Sequence, residues 1–153
     1  MSVTRRGLTV LLACLPIART VHAAERATLE EAKAMAEKAA AHFRQVGPEK
    51  AMADFNDPAG GYIDRELFVA VYGPDGKLLC GPGVPGLVGR DATQFKDATG
   101  KEFGKAIFAT AKSEGAGWVE YRMTNSVTKK VEPKKSWVIQ VGDYVVFVGA
   151  FVT

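Results

Sequence analysis

The final third of the chain alternates between strand-like segments and tight polar turns. Segments 118–123, 135–141 and 144–151 are rich in β-branched and aromatic residues, which favour strands. Gly142-Asp143 separates the last two segments and is typical of a two-residue hairpin turn. Strands joined by such short connections run antiparallel. This region therefore predicts an antiparallel sheet, and it limits the chain to folds built around one.

Two earlier segments extend the predicted sheet to five strands. Residues 67–72 form a continuous apolar run, and residues 77–80 return after the turn-forming Gly73-Pro74-Asp75-Gly76. Residues 81–89 contain four glycines and two prolines and predict a loop.

A long helix is predicted over residues 27–46, ahead of the sheet. Thr28 is a suitable cap, and Glu30 and Glu31 lie in the first turn, where the helix dipole favours acidic residues. Shorter helices are predicted over residues 48–54 and 101–113. One apolar stripe recurs along the long helix at three- and four-residue spacing: Leu29, Ala32, Met35, Ala36, Ala39, Phe43 and Val46. The expected fold is α+β, with this helix packed on the five-stranded antiparallel sheet and helices and loops covering the other face.

Residues 1–23 have the layout of a cleavable export signal. Arg5-Arg6 precede an apolar stretch, and Val21-x-Ala23 is a suitable cleavage site. The pattern favours Sec export over the twin-arginine route, and Leu11 to Cys14 only partly fits a lipoprotein box. We expect residues 24–153 to form a single domain in the periplasm, with no transmembrane anchor.

Charge and cysteine content argue against a nucleic-acid-binding protein and against a disulfide-stabilised domain. The 20 basic and 17 acidic residues give a net charge of +3, but Arg5, Arg6 and Arg19 all lie in the export segment. Residues 24–153 are therefore formally neutral, which argues against nucleic-acid binding. Cys80 is their only cysteine, so no intrachain disulfide is expected, and its setting predicts a buried thiol.

The candidates for catalysis or metal binding are isolated. His42 is the only histidine after residue 23, and Cys80 has no histidine near it in sequence. Glu66, Asp91 and Asp97 lie where turns and element ends are predicted, which favours capping roles. We expect no enzyme activity, no metal site and no cofactor.

An ordered series of short motifs resembles the type-2 single Cache domain, an extracytoplasmic sensor module of bacteria, over roughly residues 28 to 152. The motifs are Gly47-x-x-Lys50-Ala51, Phe55-Asn56-Asp57, the strand 67–72, Asp75-Gly76, Leu87-Val88-Gly89, Asp97-x-x-Gly100-Lys101-x-Phe103, Gly117-Trp118-Val119-x-Tyr121, Glu132-Pro133-Lys134 and Gly142-Asp143-Tyr144.

This resemblance implies a PAS-like shape with a small-ligand pocket over the sheet, often for a carboxylate. The family usually serves as the sensing portion of chemoreceptors and histidine kinases. The chain departs from its relatives at Met123, where they tend to carry Trp, and at Ser126, where they tend to carry Pro.

Strand alternation then suggests a site. Val119, Tyr121 and Met123 share one face of their strand, and the neighbouring strand begins near Lys134. An aromatic hydroxyl, a thioether and a cation suit a small organic anion. The predicted ligand-binding residues are Tyr72, Tyr121, Met123, Lys134 and Trp137.

Two functions stay open on the sequence. One is an exported small-molecule sensor for a small organic anion, which reports to a membrane signalling or transport partner such as a receptor or kinase. The other is a periplasmic interaction or assembly module that reuses the fold without a ligand. In either case the chain is expected to be a monomer or a weak homodimer.

Overall fold

The computed structural model describes residues 25–152, and the predicted export segment lies outside this range. Three α-helices, six strands and two short 3₁₀ turns follow one another in this part of the chain. The helices are α1 (Leu29–Val46), α2 (Pro48–Asn56) and α3 (Phe103–Glu114). The strands are β1 (Ile63–Asp64), β2 (Leu67–Tyr72), β3 (Leu78–Cys80), β4 (Ala116–Thr124), β5 (Val131–Val141) and β6 (Tyr144–Phe151). The 3₁₀ turns are Pro85–Leu87 and Ala92–Gln94.

The long helix α1 begins at a capping box. Thr28 Oγ1 accepts a hydrogen bond from the Glu31 amide at 3.1 Å, and Glu31 Oε2 accepts one from the Thr28 amide at 2.7 Å. The buried face of α1 is made mainly of small side chains, and it contains Ala32, Ala36, Ala39, Ala40 and Phe43. Because alanines project little, this face can lie close to the sheet.

All strands in the sheet pair antiparallel, in the order β1-β2-β6-β5-β4, and β3 pairs with β2. The α+β prediction and the packing of the long helix on the sheet are confirmed. The sheet has one more strand than expected, because β1 forms a two-residue ladder with the start of β2.

Strand β5 is longer than the sequence predicted, since it begins at Val131 rather than at residue 135. Pro133 lies inside this strand and has no amide hydrogen to donate to a ladder. It is tolerated because the ladder with β6 ends at the Lys134–Phe151 pair, one residue short of it. The Pro133 carbonyl still accepts a hydrogen bond from the Val152 amide at 2.9 Å.

The sheet separates two apolar layers. One lies under α1 and α2 and includes Phe43, Phe55 and Val148. The other lies on the opposite face, under α3 and the loop that contains the 3₁₀ turns, and includes Tyr72, Phe103, Tyr121 and Phe147. The second layer is less completely filled, and it holds the candidate site.

A close approach between α3 and the Ala92–Gln94 turn holds this second layer together. A Cβ atom on Gly104 would lie 1.7 Å from the Ala92 carbonyl oxygen, so only glycine fits. We expect Gly104→Ala to lower the free energy of unfolding by about 1–3 kcal/mol or more, because backbone must shift. Gly86→Ala is the matched control, since no atom lies within 4 Å of the added Cβ. Urea denaturation would measure both, and equal stabilities of the two variants would contradict this packing.

Candidate functional site

A lysine lies inside the second layer. Lys134, near the start of β5, pairs with Tyr121 on one side and with Phe151 on the other. Only 4% of Lys134 is exposed. Its Nζ atom lies 4.7 Å from the ring centroid of Phe68 and 4.8 Å from that of Phe151. Two aromatic faces thus stabilise the ammonium group in place of water.

Burial makes the charge of Lys134 costly. Desolvation lowers the pKa of its amine to about 8, and the nearby carboxylate of Glu66 opposes that shift. Within residues 25–152 Lys134 takes part in no ion pair. A buried cation without a close counter-ion is suited to receive an anion.

Two cavities adjoin at this lysine and share Phe68, Val84, Met123 and Lys134. The first, of about 30 Å³, is mainly apolar and is also lined by Ala70, Tyr72, Leu78, Leu87, Phe95, Phe103, Tyr121, Ser136, Phe147 and Gly149. The second, of about 110 Å³, is also lined by Ile63, Arg65, Glu66, Leu67, Pro82, Gly83, Thr124, Ser126 and Phe151. The amine therefore lies between an apolar space and a more polar one.

Two hydroxyl groups lie beside the lysine in the first cavity. Tyr121 Oη and Ser136 Oγ are hydrogen-bonded at 2.9 Å. The Tyr121 ring stacks on Phe103 with centroids 4.5 Å apart. Burial raises the pKa of Tyr121 to about 12, so the phenol stays neutral at physiological pH. Neutral hydroxyls can donate to a carboxylate without adding charge.

Gly149 on β6 has no side chain, and the side chains of Lys134 and Ser136 occupy the space beside it. An added Cβ would lie 2.3 Å from Ser136 Oγ and 2.8 Å from Lys134 Cε. Any larger residue would therefore push the lysine and the serine away from their present positions.

Four of the five residues predicted for the site lie together. Tyr72, Tyr121, Met123 and Lys134 all line the first cavity. Trp137 lies on the α1 face, where its ring packs against Trp118 at 5.1 Å between centroids. The Lys33 Nζ atom lies 4.6 Å from the Trp137 ring centroid. Trp137 is three residues from Lys134, so strand alternation turns it to the opposite face, and we remove it from the candidate site.

Several lining residues were missed by the sequence analysis. Phe68 and Ser136 could have been found by strand alternation. Phe68 is four residues from Tyr72 on β2, and Ser136 is two residues from Lys134 on β5, so each lies on the same face as its partner. Glu66 gave no such signal, since its position depends on the turn between β1 and β2.

Four of the residues considered for catalysis or metal binding, His42, Cys80, Asp91 and Asp97, make contacts that support the fold. His42 Nε2 is hydrogen-bonded to Asp54 Oδ2 at 2.8 Å and so links α1 to α2. Burial raises the pKa of the Cys80 thiol to about 11, and its Sγ lies 3.8 Å from the Val69 carbonyl oxygen. The Asp91 carboxylate caps the Ala92–Gln94 turn.

Asp97 organises the turn before α3. Its carboxylate accepts hydrogen bonds from the Thr99 hydroxyl and from the amides of Thr99, Lys101 and Arg122, which lower its pKa to about 2. In residues 25–152, no group of three or more His, Cys, Asp and Glu side chains is arranged to hold a metal ion. None of the helices in this part of the chain combines the length and apolarity needed to cross a membrane.

Comparison with solved structures identifies the fold. One similar structure, with a TM-score of 0.69 and 20% identity, is described as the structural basis for carboxylic acid recognition by a Cache chemosensory domain, and the match covers 81% of this chain and 92% of that one. A methyl-accepting chemotaxis protein from Vibrio parahaemolyticus RIMD 2210633 matches with a TM-score of 0.67 and 15% identity, over 80% of this chain and 86% of that one. A periplasmic sensor domain of a chemotaxis protein matches with a TM-score of 0.62 and 22% identity, over 81% and 90%.

The family follows from the sequence match. Among curated protein sequences, none matches the chain. The family model described as single Cache domain 2 matches residues 7–152, nearly the whole chain and part of the predicted export segment. Cache domains are extracytoplasmic ligand-binding sensor modules. The chain belongs to the single Cache domain 2 family.

Proposed function

We propose that the chain is an exported sensor domain that binds a small carboxylate at Lys134 and reports to a membrane signalling or transport partner. The observation that supports this most strongly is the buried amine of Lys134, which adjoins two cavities and forms no ion pair within residues 25–152. An anion would supply the missing counter-charge. The hydroxyls of Tyr121 and Ser136 would bind its oxygens.

The dimensions of the space favour a short ligand. The cavities of about 30 and 110 Å³ are small, and the first is walled by aromatic and aliphatic side chains. A carboxylic acid of about two to four carbons would place its charged end at Lys134 and its alkyl end among these side chains. The similar Cache structure described for carboxylic acid recognition supports this ligand class.

Isothermal titration calorimetry on residues 24–153 tests the proposal. The ligands would be acetate, propionate and butyrate, with ethylamine and propanol as cationic and neutral comparisons. We expect binding of at least one carboxylate and of neither comparison compound, and a bound carboxylate should also raise the melting temperature. Absence of carboxylate binding would contradict the proposal and favour an interaction module without a ligand.

The pKa of Lys134 predicts a pH dependence. A short carboxylic acid is fully ionised above about pH 6, so only the amine titrates in the alkaline range. Below its pKa of about 8 the free protein is charged at Lys134 and the affinity should be constant. Above that value, affinity should fall by up to about tenfold per pH unit, because binding then requires proton uptake. Calorimetry between pH 6.5 and 9.5 would detect this, and a constant affinity over that range would rule out the ammonium as the anchor.

We further propose that residues 1–23 are removed on export through the Sec route, and that residues 24–153 act in the periplasm as a monomer or weak homodimer. Mass spectrometry of the exported protein should find its amino terminus at Ala24, within a residue or two. A retained Met1 would contradict this.

A further inference from the structure

The space around Lys134 continues in two chemically different directions. In the first cavity it meets apolar side chains, among them Leu78, Phe95 and Phe147. In the second cavity it meets the polar residues Arg65, Glu66, Thr124 and Ser126. A ligand bound by one carboxylate at Lys134 can extend into either cavity. The residues that line each cavity therefore determine which chemical group the other end of the ligand can carry.

Glu66 brings a negative charge to the second cavity. Its Oε1 atom accepts a hydrogen bond of 3.0 Å from the Ala27 amide, just before α1. That bond holds the carboxylate in the cavity wall, half-buried. The electrostatic influence of Glu66 reaches Lys134, although the two do not form an ion pair.

Arg65 does not offset this charge. Its guanidinium donates to Asp64 Oδ2 and to Glu31 Oε1, each at 2.7 Å. Two carboxylates therefore already share this cation. The positive charge left for a ligand at this wall is that of Lys134.

We infer that Glu66 restricts the site to singly charged anions, so that monocarboxylates bind and dicarboxylates are rejected. This inference rests on the proposed carboxylate function. A second carboxylate in the apolar cavity would lose its hydration without any counter-ion. In the other cavity it would approach Glu66, a like charge in a partly desolvated setting. Neither direction accommodates it.

Succinate and succinamate test the inference without any substitution. The two have the same skeleton, but an amide replaces one carboxylate in succinamate. We expect the unmodified protein to bind succinamate at least about tenfold more tightly than succinate in calorimetric titrations, with propionate as the reference monocarboxylate. Equal affinities for succinate and succinamate would overturn the inference.

The Glu66→Gln variant tests whether Glu66 itself causes the rejection of dicarboxylates. The amide oxygen of Gln can still accept the Ala27 hydrogen bond, so the fold should persist, and its melting temperature checks this. In this variant the ratio of succinate affinity to propionate affinity should rise by about tenfold or more. Glu49→Gln is the matched control, because it makes the same substitution at an exposed glutamate on α2 that lines neither cavity.

The outcomes separate the two claims. If Glu49→Gln raises succinate affinity as much as Glu66→Gln does, the effect is a general change in net charge and the inference is wrong. If propionate binds while Glu66→Gln leaves the ratio of the two affinities unchanged, the proposed function holds and Glu66 is not the selecting residue. Binding of none of these anions would contradict the proposed function and this inference with it.

Discussion

Replacing Lys134 with Met is expected to abolish most carboxylate binding while making the ligand-free domain more stable. The substitution keeps an unbranched side chain that is one atom shorter, and it removes the charge. Loss of a charge-assisted hydrogen bond should weaken binding by roughly 2–3 kcal/mol, or about 30- to 150-fold. Calorimetry would measure the affinity, and a variant that binds as tightly as the parent protein would exclude Lys134 from the site.

The gain in stability follows from the pKa of the amine. Its pKa of about 8 in the folded protein lies below the ordinary lysine value of about 10.5, so the unfolded chain binds more protons between those pH values. The charged amine therefore costs stability below pH 8, by as much as about 3 kcal/mol at about 1.4 kcal/mol per pH unit, and the cost disappears as the pH rises to 10.5.

Denaturation of the parent protein and of Lys134→Met as a function of pH would show whether the charged amine lowers stability. The stability advantage of Lys134→Met should be largest below pH 8 and should shrink as the pH rises toward 10.5. Lys135→Met is the matched control, because the next residue on β5 faces the other side of the sheet and pairs with Glu120 at its partly exposed Nζ. It should change neither carboxylate affinity nor stability by more than about 0.5 kcal/mol.

Phe43→Ala is expected to produce the largest loss of stability. Phe43 is 4% exposed, and its ring lies 5.1 Å from that of Tyr144 between centroids. It is the one large residue among the fully buried residues of α1, and the other four are alanines. The cavity left behind should lower the free energy of unfolding by about 3–5 kcal/mol. For a domain of this size that is a large share of the total.

Urea denaturation would measure the loss, and the adjacent Arg44→Ala provides the control because Arg44 is exposed on the same helix. We expect the control to change stability by less than about 0.5 kcal/mol. A change below 1 kcal/mol for Phe43→Ala would mean that α1 is not held to the sheet through this side chain.

The elements that the sequence predicted well are those with a strong local pattern. The spacing of apolar residues and the Thr28 cap defined α1 to within two residues at its start, and β2 and β6 have the predicted bounds. The missed strand β1 has only two residues, too few for a periodic pattern. It depends on a tight turn in which Arg65 has a φ of 54°. This left-handed conformation favours glycine, so an arginine in the sequence does not predict it.

The part of the candidate site that lies on regular strands could be predicted from the alternation of side chains along those strands. Tyr121 and Met123 follow from one strand, and Lys134 from its partner, because side chains two residues apart share a face. Trp137 was placed incorrectly, although counting three residues from Lys134 would have assigned it to the α1 face. Glu66 depends on a contact with Ala27, 39 residues away in sequence, and no local pattern encodes it.

Titration of Lys134 itself by lysine-specific NMR, with and without propionate, tests the central claim most directly. We predict a pKa near 8 in the ligand-free domain and a clearly higher value when propionate is saturating, because a bound carboxylate stabilises the charged amine. A pKa near 10.5 in the free protein, or one that propionate does not change, would contradict the assignment of Lys134 as the buried anchor of an anion site.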